Sequence, residues 1–361
     1  MNNFWIGGTE QLLLGLTTAL SVDYHVAAVT VLGTGPLEPE FKKIPVSIYH
    51  ASPAFFSSKK FIFKLLWLLA APITFIRLVI FLRKVKPDVV LTSLYQADVL
   101  GIFAAWITGI PKRILIQHDI QRLGFFRKYL KRWLALRLAT QIVAVSKVVK
   151  NFLISSLRVP ENKITVIYNG INIAKFEKAV KPSVEKEIVF GIIGRLEPVK
   201  GHKLFLQALK ILHKENLAPK VIFAGDGTEK KALEKYIQSN SLRNVKFVGP
   251  VTDVSGVLKL IDILVVPSIK EGFGLVLLEG LMARKVIIAS DIEACRELLV
   301  SGETGVLFEN KNAEQLADAM RSFILAPALI EKYHRNLAKW ILETGPRYDI
   351  KNLATKYRKL F

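Results

Sequence analysis

Two kinds of apolar pattern alternate along the chain. Helical spacing predicts a helix over residues 10–20. β-branched or continuous apolar runs predict strands over 24–32 and 46–49. A long apolar helix over 61–83 follows, then short buried strands over 88–92 and 113–117. A basic helix leads into a strand over 141–145, and after it come a helix over 147–157 and a strand over 164–168 that closes on Asn169-Gly170. Residues 175–186 are polar, charged and broken by Pro182, which reads as a linker. The alternation then restarts, with strands over 188–193, 220–224, 245–248, 261–266 and 286–289. Helices over 202–214, 229–239, 254–260 and 275–283 lie between them, and the tail from Ala313 is helical with a break at Gly345-Pro346. Strand–helix alternation in both halves implies parallel sheets covered by helices. The fold class is therefore α/β with two doubly wound domains and no internal repeat.

Composition narrows the picture. At 361 residues and 51% hydrophobic, the chain can bury two cores, and its mean hydropathy is +0.33. The single cysteine, Cys295, excludes an intrachain disulfide and fits a reducing compartment. The formal charge is +21, and residues 1–175 hold 22 Lys+Arg against 8 Asp+Glu, or +14. Two windows contain no acid at all, 41–87 and 120–160, and each carries 9 bases. Such a basic face attracts polyanions, either nucleic acid or anionic lipid. The apolar run 12–21 imitates a signal peptide, but no Lys or Arg precedes it and Glu10 adjoins it, so a cleaved signal is not expected.

The chemistry concentrates in two places. In the first, the apolar strand over 261–266 ends at Pro267 and is followed by Ser268-Ile269-Lys270-Glu271-Gly272-Phe273-Gly274-Leu275, with Glu279 one helical turn further on. Strand, glycine turn and helix in that order aim free N–H groups and a helix dipole at one point, which suits a phosphate. In the second, Gly191-Ile192-Ile193-Gly194-Arg195-Leu196-Glu197-Pro198-Val199-Lys200-Gly201 places a rigid cation and a mobile one after a buried strand and before a helix. By itself this loop also reads as two solvated bases. Ligands of open α/β sheets bind at the carboxyl ends of strands, so the two loops together point to a diphosphate crevice.

These two segments, together with Val166-Ile167-Tyr168-Asn169-Gly170-Ile171, resemble the retaining glycosyltransferases of family 4. Val145-Ser146-Lys147, Phe223-Ala224-Gly225-Asp226-Gly227 and Phe247-Val248-Gly249 fall in the same order as in that family, so the resemblance covers nearly the whole chain. It implies a GT-B architecture of two Rossmann-like domains facing a cleft. Residues 1–175 would form a basic, membrane-facing acceptor domain and 176–345 the nucleotide-sugar domain, with 346–361 crossing back to the first. It further implies that Arg195 and Lys200, with Gly194 beside them, bind the donor diphosphate and offset charge on the leaving nucleotide, without a metal. Glu271 would contact the donor sugar, and the backbone of Phe273, Gly274 and Leu275 would hold the distal phosphate. Glu279 would accept from the ribose hydroxyls, and main chain near Pro250-Val251 would meet the base. Gly8, after Gly7, would close over phosphate and acceptor. His118, at the end of Ile114-Leu115-Ile116-Gln117-His118, would touch the transferred sugar; as a lone residue it reads more readily as a structural histidine.

Three departures from the family pattern stand out. Only Met1 to Ile6 precede Gly7-Gly8, too few for the usual first strand of the N-terminal domain, so an incomplete start is expected. Ala283-Arg284-Lys285-Val286 lacks the usual glycine and proline, and Glu293-Ala294 replaces a common Gly-Gly. Residues 61–82 are long enough to span a bilayer, yet Lys64, Pro72 and Arg77 oppose insertion, so spanning stands beside a monotopic or buried helix. The segment 125–136 sorts Arg127, Lys128, Lys131 and Arg132 from Phe126, Leu130, Trp133 and Leu134, which fits a helix lying in a lipid interface or an ordinary core helix. The function expected is hexosyl transfer, with retention, from a UDP- or GDP-sugar to a lipid-linked saccharide or glycolipid. The protein would sit on the anionic inner face of the cell membrane, with no cofactor and no specific nucleic acid partner. A hydrolase pair is disfavoured, since retaining hydrolases need carboxylates about 5 Å apart and eight helical residues span about 12 Å. The alternative is a non-catalytic or shortened protein that binds membrane or nucleic acid; no zinc spacing or RNA-binding motif supports the latter.

Overall fold

The computed structural model describes residues 1–53, 62–120, 124–179 and 187–361, which form two compact units. The first contains Met1–Ile171 and Ile350–Phe361, and the second Asn172–Asp349. Phe61 and most of the linker, 180–186, lie outside the described residues.

In the first unit the order is α1 (Gly8–Leu20), β1 (Val26–Thr30), α2 (Glu38–Lys42), β2 (Val46–His50), α3 (Ile62–Val85), β3 (Val89–Ser93), α4 (Tyr95–Ile107), β4 (Lys112–Gln117), α5 (Phe125–Trp133), a π-helical segment Leu134–Leu138, β5 (Gln141–Ala144), α6 (Lys147–Leu157) and β6 (Ile164–Val166). All described pairings are parallel, in two separate sheets, β1-β2 and β3-β4-β5-β6. Among the described residues no strand precedes α1. Instead, the N–H groups of Val31 and Leu32 donate to the Asn2 carbonyl at 3.1 and 2.7 Å. The Asn2 side chain accepts from Ala97 N–H at 3.0 Å, tying the edge of β1 to the start of α4. Leu78 and Leu82 of α3 pack with Ala97, Leu100 and Ala104 of α4 in one core. Among the described residues no helix is long and apolar enough to cross a membrane.

The second unit runs α7 (Ile173–Glu177), β7 (Val189–Ile193), α8 (His202–Lys214), β8 (Lys220–Ala224), α9 (Lys230–Ser239), β9 (Val245–Gly249), α10 (Val254–Leu258), β10 (Ile263–Val266), α11 (Leu275–Met282), β11 (Val286–Ser290), α12 (Glu293–Arg296), β12 (Gly305–Phe308), α13 (Ala313–Leu325) and α14 (Leu329–Thr344). Its strands form one parallel sheet in the order β12-β11-β10-β7-β8-β9. Every residue of β10 and β11 is buried, which is why these strands read as unbroken apolar runs. Phe205 of α8, Phe223 of β8 and Phe323 of α13 anchor the core. The last helix, α15 (Ile350–Arg358), belongs to the first unit: Arg358 pairs with Asp23 and donates to Ala19 O at 3.2 Å.

Differences from the sequence reading have local causes. The strand expected over 261–266 starts at Ile263, because Asp262 joins β7 partly through its side chain, Oδ2 accepting from Val189 N–H at 2.9 Å. Helix α4 escapes the periodicity argument, since its Asp98 and Gly101 lie on the buried side and its apolar residues surround the helix. The face assignment of α5 needs correction at Lys131. It is the buried side chain of that helix and pairs with Asp98, while Phe126 and Trp133 are exposed.

Candidate functional site

The order of the second sheet reverses direction between β7 and β10, where Ile263 and Leu264 register with Phe190 and Gly191. This is the topological switch point of a doubly wound sheet, so the loops leaving the carboxyl ends of these two strands lie side by side. They are joined directly. Ile269 N–H donates to Val199 O at 2.8 Å. Gly201 has a positive φ of 73° and abuts the Pro267 carbonyl, so that a Cβ there would overlap the oxygen. A side-chain-free residue is therefore required where the first loop turns into α8.

Lys200 ends the short 3₁₀ turn Pro198–Lys200 and donates from Nζ to Glu271 Oε1 at 2.6 Å. Ser268 Oγ donates to the same oxygen at 2.8 Å. Oε2 of Glu271 has no partner among the described residues. The side chains retain only 23% and 11% of their exposure, so the pair is largely removed from water. Arg195, from the same loop as Lys200, is exposed, and its guanidinium makes no hydrogen bond or ion pair among the described residues. One cation is thus held by a carboxylate and a second is available within one loop. Two such cations at a strand end can neutralise a diphosphate.

Gly274 takes the left-handed conformation, φ 88°, and caps α11, so the first N–H groups of that helix have no acceptor within it. Phe273 is buried, with its ring 6.2 Å from that of Tyr348. Glu279 lies on α11. Part of its surface remains exposed, yet protein packs round the carboxyl, and burial pushes its pKa up to about 8; Lys175 works against this shift and Asp253 adds to it. Lys175 of α7 and Asp253 are themselves paired at 3.1 Å. Val251 is half-buried in the loop after β9, between Gly249 and Asp253.

The sequence pointed to neither Ser268 nor Lys175. Ser268 had a usable signal, a hydroxyl three residues before Glu271 in the same turn. Lys175 sits in what reads as linker and gave none.

In the first unit, Gly8 opens α1 after the extended Gly7. His118 follows the end of β4; its Nε2 is sealed from solvent with no partner among the described residues. Burial lowers its pKa to about 3 and the positive charge of Lys131 adds to that, so the imidazole is neutral at physiological pH. Two further buried polar atoms at the ends of β3 and β4, Ser93 Oγ and Gln117 Oε1, have no partner among the described residues. Among the described residues no group of three or more His, Cys, Asp or Glu is placed to hold a metal ion.

Comparison with known proteins places this geometry in a family. The family model described as Glycosyltransferase Family 4 matches residues 6–175, and that described as Glycosyl transferases group 1 matches residues 174–340. An Escherichia coli UDP-Gal:alpha-D-GlcNAc-diphosphoundecaprenol alpha-1,3-galactosyltransferase is 30% identical over 258 residues, 66% of this chain and 67% of that one. A Staphylococcus aureus capsular polysaccharide biosynthesis glycosyltransferase, CapM, is 27% identical over 72% of this chain and 73% of its own. Among solved structures, Anabaena HepE in complex with UDP and glucose shares the fold with a TM-score of 0.80 at 23% identity, covering 98% of this chain and 95% of that one. With both halves matched in order and two thirds of the E. coli protein aligned, the chain belongs to the family 4-like glycosyltransferases of the GT-B fold, enzymes of hexosyltransferase type.

Proposed function

We propose that this chain transfers a hexose, with retention, from a UDP- or GDP-sugar to a hydroxyl of a lipid-linked saccharide or glycolipid. The observation that carries this reading is the Lys200–Glu271 pair, with Arg195 on the same loop, at the switch point of the second sheet. Arg195 and Lys200 bind the diphosphate and stabilise the charge that grows on it as the sugar–phosphate bond breaks, which makes a metal unnecessary. Oε2 of Glu271 accepts from a hydroxyl of the donor sugar, while the N–H groups of Phe273 to Leu275 and the backbone at Gly194 hold phosphate. Glu279 accepts from the ribose and the main chain at Val251 meets the base. His118 and Gly8 serve the sugar and acceptor from the first unit. The E. coli relative is named for a diphosphoundecaprenol acceptor, and a Campylobacter jejuni relative, 29% identical, is likewise named for a diphospho-undecaprenol saccharide. Those names support a lipid-linked acceptor.

The test is incubation with UDP- and GDP-sugars and a diphospho-undecaprenyl saccharide. Expected products are free UDP or GDP and a saccharide extended by one residue, with the donor's anomeric configuration kept in the NMR coupling of the new linkage. Release of free sugar in place of an extended saccharide, or an inverted linkage, contradicts the proposal.

The site of action we propose is the cytoplasmic face of an anionic membrane, approached peripherally. Phe103 joins three helices in an aromatic seam: its ring lies 5.3 Å from Phe75 of α3, 5.9 Å from Trp106 of α4 and 6.4 Å from Trp133 of α5. Beside the seam, Ile73, Ile76 and Ile80 of α3, and Phe125, Phe126 and Tyr129 of α5, are more than half exposed. Exposed Lys128 and Arg137 supply positive charge in the same region of sequence, without a neighbouring acid. Apolar anchors among bases suit the headgroup boundary of anionic lipid. The double substitution F125S/F126S is expected to weaken binding to anionic vesicles by about 10-fold or more, since each buried ring is worth roughly 2 kcal/mol, while UDP or GDP binding stays as in the wild type. Flotation with phosphatidylglycerol vesicles reads this directly; unchanged flotation contradicts the assignment of the surface.

A further inference from the structure

We propose that the buried Lys131–Asp98 pair is a positioning device through which the seating of α5 on lipid is transmitted to the His118 end of the first unit's sheet. This rests on the membrane reading above and adds a route from that surface to the site.

Helix α5 is held to the domain in an unusual way. Its first five residues, 125–129, are all exposed, and its one buried side chain among the nine residues is a lysine. Lys131 Nζ donates to Asp98 Oδ2 at 3.0 Å, with the side chains 6% and 0% exposed. An apolar residue at 131 would serve packing at least as well, because taking two charges out of water offsets most of their attraction. A buried pair of this kind is weak evidence of a stabilising role.

The partners instead connect two places. Lys131 stands on the helix that carries Phe125, Phe126 and Tyr129. Asp98 stands in the first turn of α4, directly after β3, and the register of β3 with β4 sets Ser93 beside Ile116, two residues before His118. Burial first, and the Lys131 charge second, hold the His118 imidazole neutral. His118 Nε2 is buried with no partner among the described residues, so no hydrogen bond from them fixes that ring nitrogen against a change in the nearby charge.

Immediately after α5 the chain winds as a π-helix over Leu134–Leu138, with Leu134, Ala135 and Leu138 buried. Leu134, Ala135 and Leu138 stand three, four and seven residues after Lys131, the spacing of one inward helical face, and π segments recur where a helix serves function over regularity. A shift of α5 relative to that anchored segment moves Lys131 against Asp98, and with it the charge facing His118. Lys131 is thus a positioning residue, acting through Asp98 and the local field.

The test compares transfer to a short-chain soluble acceptor with and without phosphatidylglycerol vesicles. Wild-type turnover is expected to rise about 5-fold or more on vesicles, the lower end of ordinary coupling between two sites. K131M is expected to float with vesicles within twofold of the wild type and to lose the rise, the change appearing in kcat with the donor KM unaffected. K131R, which keeps the charge, restores at least half of it. Should K131M fail to fold, D98N/K131M removes both charges together, avoids an unpaired buried carboxylate, and is expected to show the same loss. Full vesicle stimulation in K131M or in the double variant overturns the proposal. A wild type that floats with vesicles but transfers no faster on them overturns this coupling and leaves the membrane reading intact; one that transfers sugar but does not float removes both, leaving the transferase reading intact; absence of transfer to any acceptor removes the transferase reading itself.

Discussion

Lys200→Met is expected to lower sugar transfer by about 10²- to 10³-fold, the usual cost of removing one preorganised donor from a site of developing charge. The expectation follows from where Lys200 stands. Its backbone is fixed by the 3₁₀ turn, by Gly201 pressed against the Pro267 carbonyl and by the bond from Ile269 N–H to Val199 O, so its side chain starts from one place beside the Glu271 turn. There it meets Glu271 at 2.6 Å. Loss of the ammonium leaves Glu271 with only the Ser268 hydroxyl, in surroundings that exclude most water, and nucleotide binding falls along with turnover. Glu271→Gln should behave differently. The amide keeps an acceptor for Ser268 and releases Lys200 to the phosphates. Nucleotide diphosphate binding should then hold or tighten while transfer drops, because the neutral acceptor holds the donor sugar less well. Initial rates of UDP or GDP release, set beside calorimetric titration of the nucleotide, separate the two variants. Equal losses of binding in both contradict the assignment of Lys200 to phosphate and Glu271 to sugar.

Glu279→Gln is expected to make the protein more stable and a poorer nucleotide binder. Burial raises the folded-state pKa of Glu279 to about 8, above the ordinary 4.5. A carboxyl shifted upward binds its proton more tightly in the folded chain. Its favourable contribution is complete below pH 4.5 and drains away as pH rises through 8, because the unfolded chain ionises freely while the folded one resists. Glutamine has no such cost. The gain in stability over the wild type should be near zero at pH 4.5, grow through neutrality and level off above pH 8, reaching on the order of 2 kcal/mol, or several degrees in Tm. The same substitution removes the acceptor proposed for the ribose hydroxyls and should weaken UDP or GDP binding about 10-fold at pH 8.5, where Glu279 is mostly ionised. Thermal melts across pH 4.5–9 read the first effect. A stability difference that does not vary with pH contradicts the buried, raised carboxyl.

Much of the fold is legible in the chain because parallel strands buried on both faces must be written as apolar runs. Val189–Ile193, Ile263–Val266 and Val286–Ser290 are such runs, and the helices between them carry 3.6-residue periodicity and glycine or proline punctuation. The pairing of those strands is not written there. That β7 lies beside β10, and so puts Lys200 against Glu271, is a long-range fact of sheet order, which Rossmann-like topology supplies and periodicity does not. Helix α4 was missed where its periodicity fails, and with it Asp98, which carries the most unusual interaction of the first unit. Lys131 was misread for the opposite reason. A helical wheel sorts charge from apolar residues and assumes that charge faces water, whereas here a lysine points inward to a carboxylate 33 positions away. Lys175 could not be read at all, since its nearness to Glu279 arises from the packing of α7 within the second unit.

The central claim is that Arg195 and Lys200 act together on one diphosphate. It is tested most directly by calorimetric titration of the wild type and of R195A/K200M with UDP, GDP and the matching nucleosides. The account predicts that the wild type binds one of the two diphosphates about 100-fold or more tightly than its nucleoside, as charge-assisted contacts to phosphate require, and that the double variant binds both alike and weakly. A double variant that keeps the preference for the diphosphate, or a wild type that binds neither UDP nor GDP, contradicts it.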